Sequence, residues 1–173
     1  MRNLMYIVVV AILFAGCQQA EEKRYYAESA EIETLKAGIA AYEAADWDKW
    51  RSHFADTAKI YVNSTEAVSV DERVEGLKGM SAAMSSYGFD REDDHIEMVL
   101  DKKDQTWVYY WATHKGTIAA TNKSLAIPVH LAVRFVDGKI VTEHVYFDAT
   151  AMNAEFEAIA AAAEAEAETE AEN

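Results

Sequence analysis

Apolar positions recur at helical spacing early in the chain and alternate later. Ile32, Leu35, Ile39 and Tyr42 fall on one face of a first helix. Asp46 is placed to cap a short second helix carrying Trp47, Trp50 and Phe54. Residues 59–63 read as a short strand, and Leu77, Met80 and Met84 predict a third helix within 74–87. Residues 95–101 alternate, with Ile96, Met98 and Leu100 on one side, and a polar turn follows at 101–105. Residues 106–117 form a long aromatic strand with Trp107, Tyr109, Tyr110 and Trp111. Met152, Phe156 and Ile159 mark a last helix. Helices precede consecutive antiparallel strands, which is an α+β order.

The stretch 127–148 carries most information, because its pattern sorts side chains between two faces. Asp137-Gly138 is a strong hairpin signal. A two-residue loop would pair Phe135 with Ile140 and Leu131 with His144. One face would then mix apolar residues with His144, Tyr146 and Asp148. A three-residue loop, Val136 to Gly138, would pair Phe135 with Lys139 and Leu131 with Glu143. That register gathers Ile127, Val129, Leu131, Val133, Phe135, Val141, Val145 and Phe147 on one face. His130, Arg134, Thr142, His144, Tyr146 and Asp148 share the other. A slip of one residue flips every side chain, so the cleaner sort favours the three-residue loop. Glu143 is then the one ionisable residue on the apolar face.

Residues 4–16 are apolar apart from Tyr6, follow a short positive start, and are too short to span a membrane comfortably. They end in Leu13-Phe14-Ala15-Gly16-Cys17, which resembles a bacterial lipoprotein signal peptide with its lipobox. Cys17 is the chain's single cysteine, so no internal disulfide is possible. The resemblance implies acylation of Cys17, with chains such as palmitate, and a membrane tether that does not span. Gln18 after the cysteine implies, by the same resemblance, the outer membrane of the bacterial envelope. The expected organisation is signal peptide 1–16, lipidated tether 17–30, one domain 31–159 and an acidic Ala/Glu tail 160–173 that frays. The formal net charge of −14 leaves no basic surface for phosphate backbones, so nucleic acid is not an expected partner.

The run AYEAADWDKWRSHFADTAKIYV, then a helix, strands and RFVDGKIVTEHVYFD, resembles the nuclear-transport-factor-2-like superfamily, and within it the SnoaL-like group. The resemblance spans 31–159 and rests on F-A-D-x-A together with D-G-K-I-V. It implies a cone: a curved antiparallel sheet wrapped around N-terminal helices, with an open apolar pocket. Members include isomerases, cyclases, dehydratases and epoxide hydrolases, and also domains of no known activity. Ketosteroid isomerases of the superfamily use a Tyr and two Asp at positions matching Gly38, Val62 and Leu131. Neither Val nor Leu can move a proton or donate a hydrogen bond, so that activity is rejected. The cyclases' Asp and His would fall near Asp148 and His144 or His130, which the favoured register turns away from the apolar face.

Glu143 on an apolar face should have a raised pKa and could serve as general acid or base. Near an open rim it could equally be hydrated or paired. Tyr42, Trp50, Tyr61, Trp111 and Phe147 are candidate pocket residues, although large aromatics more often fill cores. His130 and His144 would be directly opposed on the outer face, but no metal spacing is present and no cofactor motif is found. Three readings follow: a membrane-anchored domain binding a small apolar molecule, an enzyme using Glu143 on a small organic substrate, or a dimeric assembly module. The outer hairpin face, with Ala132, Ile140, Tyr146 and Arg134, suits a homodimer, the assembly that the resemblance also implies.

Overall fold

The computed structural model describes residues 23–171. The expected signal peptide, Cys17 and the start of the tether lie outside the described residues, as does the very end of the tail. Four helices and seven strands follow in chain order. They are β1 (Tyr25–Tyr26), α1 (Ala30–Glu43), α2 (Trp47–Ser52), β2 (Phe54–Val62), α3 (Val70–Ala82) and β3 (Met84–Phe89). Then come β4 (His95–Leu100), β5 (Thr106–Ile118), β6 (Ser124–Val136), β7 (Lys139–Phe147) and α4 (Thr150–Ala171). The strand path is β1-β4-β5-β6-β7-β2, with β3 paired to the far half of β5 beside β4. All pairs are antiparallel except β2 with β7.

Local chemistry sets the helix starts. Ile32 N–H donates to Ser29 Oγ at 3.1 Å, and Glu31 and Glu33 sit in the first turn, where the helix dipole favours negative charge. Helix α3 opens on a full capping box: Ser69 and Glu72 each bond the other's backbone. This box starts the helix at Val70, earlier than the apolar spacing suggests. The helix also stops earlier, at Ala82, because Met84 to Phe89 pair with β5 and become a strand. Helical spacing of Met80 and Met84 therefore misleads there: a ladder of sheet bonds outweighs it. Strand β2 runs longer than 59–63, from Phe54, with an irregular register between Phe54 and Lys59. The tether expected up to residue 30 is partly sheet, since Tyr25 and Tyr26 pair with Val99 and Met98. Helix α4 continues into the Ala/Glu tail as far as Ala171, with 160–169 exposed.

The helices cover one face of the sheet. Ile32, Leu35, Ile39 and Tyr42 of α1 and Val70, Val74 and Leu77 of α3 meet Val108, Tyr110, Leu131, Val133 and Val145 in one core. Ile32, Ile60, Val108 and Val133 are fully buried, each contributing roughly 1.5–3 kcal/mol of transfer free energy. A smaller cluster at the other end, Ile118, Leu125 and Ile127, is roofed by Met152, Phe156 and Ile159 of α4.

The hairpin corrects the expected loop but keeps the expected sort for most of its length. Val136 pairs with Lys139 and Phe135 with Ile140, so the loop has two residues. Asp137 and Gly138 both have positive φ, 49° and 73°, as a type I′ turn requires. The register then shifts: Arg134 faces Thr142, leaving Val141 as an unpaired bulge. Beyond it Leu131 pairs with Val145 and Val133 with Glu143. Ile140, not Val141, takes the apolar position near the turn. His130 and His144 are not opposed: His130 pairs with Tyr146, and His144 with Ala132.

Candidate functional site

Glu143 is 6 % exposed, the single buried charged residue among those described. Its neighbours across the sheet explain its state. β6 sets Val133 beside it and β2 sets Ile60, both fully buried. Burial lifts its pKa to about 7, and the charge of Arg73 offsets part of that rise. Among the described residues no carboxylate oxygen comes within 4.0 Å of an Arg73 nitrogen, so the two charges attract without forming an ion pair.

The carboxyl lies in the wall of a cavity between the sheet and helices α1 and α3. Its volume is about 120 Å³, comparable with apolar cavities of about 150 Å³ that accept one benzene ring. Apolar side chains form most of the wall. Four polar ones interrupt it: Tyr42, Arg73, His114 and Glu143. Tyr42 Oη lies 2.8 Å from His114 Nε2. Burial pushes the Tyr42 hydroxyl well above its ordinary pKa and the His114 ring below its own, so both are neutral near pH 7. In one imidazole tautomer Tyr42 donates to Nε2 and offers lone pairs to the cavity; in the other Nε2–H donates and the hydroxyl proton is free. Nearby, Glu43 accepts from Phe89 N–H at 2.8 Å and pairs with Arg91 at 2.7 Å, which fixes the end of β3 against α1.

Of the expected pocket residues, Tyr42, Trp50 and Phe147 line this cavity. Tyr61 and Trp111 do not. Tyr61 alternates with the buried Ile60 and stacks on His144 at 4.6 Å; Trp111 alternates with Tyr110 and stacks on His130 at 4.5 Å. Both belong to the outer sheet face, where strand alternation places them. Gly38 and Leu131, which the resemblance matches to the catalytic positions of ketosteroid isomerases, do line the cavity. Asp148 instead accepts from Thr150 N–H at 2.9 Å at the start of α4.

Arg73 and His114 were not singled out from sequence, yet both carried a signal. Arg73 sits in the stripe Val70, Arg73, Val74, Leu77, a cation among core positions. His114 shares parity with Val108, Tyr110 and Ala112 on β5.

The outer face carries a continuous array of rings. Trp107, Tyr109 and Trp111 of β5, His130 of β6, His144 and Tyr146 of β7 and Tyr61 of β2 adjoin with centroids 4.5–6.5 Å apart, all stacked except the tilted pair Tyr109 and Trp111. Trp111 is 40 % and Tyr146 49 % exposed. Among the described residues no group of three or more His, Cys, Asp or Glu is placed to hold a metal ion, and no helix is long and apolar enough to cross a membrane.

Solved structures share the architecture at low sequence identity. A candidate polyketide cyclase from Xanthomonas campestris pv. campestris aligns with a TM-score of 0.60 and 13 % identity, over 71 % of this chain and 93 % of its own. IdmH, a candidate polyketide cyclase from Streptomyces antibioticus, aligns at 0.59 and 16 %, over 73 % and 97 %. A hypothetical protein of ketosteroid isomerase-like fold from Catenulispora acidiphila, solved with trimethylamine, aligns at 0.51 and 18 %, over 66 % and 84 %. No curated protein matches the chain. The fold is thus the expected NTF2-like cone. Since the profile of the SnoaL-like domain also matches residues 35–143, the chain belongs to the SnoaL-like domain family.

Proposed function

We propose that the cone holds a small molecule with an apolar body about one ring in size, and that Glu143 exchanges a proton with it. The observation that carries this reading is a carboxyl sealed between Ile60 and Val133 in the wall of an otherwise apolar cavity. A group with pKa about 7 is balanced between acid and base at neutral pH, which suits proton transfer in either direction. Tyr42, held by His114, supplies a second polar contact from the same wall. The names of the fold's solved relatives, polyketide cyclases and an isomerase among them, agree with proton-transfer chemistry on small carbon skeletons. Ketosteroid isomerisation in the superfamily's manner is not proposed, because Gly38, Val62 and Leu131 lack the groups it needs. Titration of the Glu143 carboxyl carbon by NMR tests the reading. A midpoint near 7 is expected; one near the free-residue value of about 4.3 would remove the acid–base role and leave a pure binding site.

Two wider features belong to the same proposal. Acylation at Cys17 would tether the domain at the bacterial outer membrane, and replacing Cys17 by Ser should then move the protein from the membrane fraction to the soluble one. The ring array on the outer face suits a twofold mate: interface cores are rich in Tyr, Trp and Arg and poor in charge, and this face offers all three around Arg134.

A further inference from the structure

Arg73 poses a question that Glu143 does not answer. The helix stripe directs it inward, and its side chain lines the cavity. Its Nε is sealed from solvent and has no hydrogen-bond partner. Among the described residues no ion pair holds the guanidinium, since Glu143 stands beyond 4.0 Å. A guanidinium keeps its charge in proteins and presents five donors in a planar fork matched to carboxylate oxygens. A charge partly withdrawn from water, with a sealed and unpaired donor, is unfavourable, and a partner entering the cavity would relieve it.

Resting on the reading of the cone as a small-molecule site, we propose that its occupant is a small organic carboxylate, its apolar body against the sheet and its anionic end on Arg73. The other groups in the wall fit this charge. The titratable groups acting on Arg73 are Glu143 from β7 and Tyr42 from α1; His114 of β5 stands behind Tyr42. Tyr42 and His114 are neutral near pH 7. Glu143 is ionised only in part at that pH, and an incoming anion favours its protonated form, which then donates a hydrogen bond to the ligand. With Glu143 protonated, Arg73 is the one charge among the polar wall residues. A cationic ligand would meet it unshielded.

The test uses three probes with one ring and different charge: benzoate, benzamide and benzylamine, titrated calorimetrically into the full domain at pH 6. Benzoate should bind at least tenfold more tightly than either of the others. In Arg73→Met that preference should vanish, with benzoate losing far more affinity than benzamide, because charge and donors are lost together. Raising the pH to 8 should weaken benzoate binding several-fold in the unmutated protein but not in Glu143→Gln, which remains a neutral donor. Equal affinities for the three probes, or preference for benzylamine, would overturn the carboxylate assignment and leave the cone as a binding site. Preference surviving in Arg73→Met would overturn it as well. Failure of all three probes to bind would sink both the assignment and the small-molecule reading. If Arg73→Met does not fold, the ranking of the probes on the unmutated protein decides.

Discussion

Glu143 is a side chain whose chemistry is fixed by its two neighbours more than by itself. Unfolded, a Glu titrates near about 4.3; in the fold, burial lifts the value to about 7. The folded state therefore holds this proton more tightly than the unfolded state does. Its contribution to stability is complete below the unfolded value and is lost as pH rises through the folded one. Between pH 5 and pH 8 the loss is on the order of 2–3 kcal/mol. Urea unfolding at both pH values should show that decline in the unmutated domain and not in Glu143→Gln. Shifts at His53 and His114 are common to both proteins and cancel in the comparison. An equal pH dependence in the two proteins would mean that Glu143 titrates normally. The position of Glu143 was legible because the run from Leu131 to Phe147 sorts so cleanly. Aromatic character points Tyr61 and Trp111 to the pocket, but parity overrules it: each alternates with a buried neighbour, Ile60 or Tyr110.

The hairpin shows why a face can be read correctly from a wrong loop. The three-residue loop and the observed two-residue loop with a bulge differ near the turn but share parity beyond it. Glu143 therefore faces inward under either arrangement. A bulge leaves no firm mark in sequence, because Val141 suits either face. What is legible is Gly138. A Cβ there would meet nothing within 4 Å, so a substitution acts through backbone conformation alone. At φ 73°, Gly138→Ala should cost about 1–2 kcal/mol in unfolding free energy, with binding in the cavity unchanged. Removing the α3 cap by Ser69→Ala should cost about 1 kcal/mol, and it tests an element that also carries Arg73. Unfolding curves for either variant that overlay the unmutated domain would refute these assignments.

At the scale of the molecule, one sheet presents two surfaces of opposite character. Its inner face closes a cavity around few polar groups, and its outer face spreads an array of rings. Tyr146→Glu would set a charge in the middle of that array, next to His130 and His144. Sedimentation should give a dimer for the unmutated domain at tens of micromolar, on the order expected for weak association, and a monomer for this variant. A monomer for both would discard the twofold arrangement. The overall cone was readable from element order and from two short segments, whereas β1 was not, because two residues are too few to show a period. The two sides of the sheet also differ in the indole rings beside them. Trp50 is buried in the cavity wall, and Trp111 stands half in solvent on the far side. Of the protein's four tryptophans, these two are its natural optical probes: with Trp47 and Trp107 replaced by Phe, Trp50 emission should answer to an occupant of the cone and Trp111 emission to a second copy.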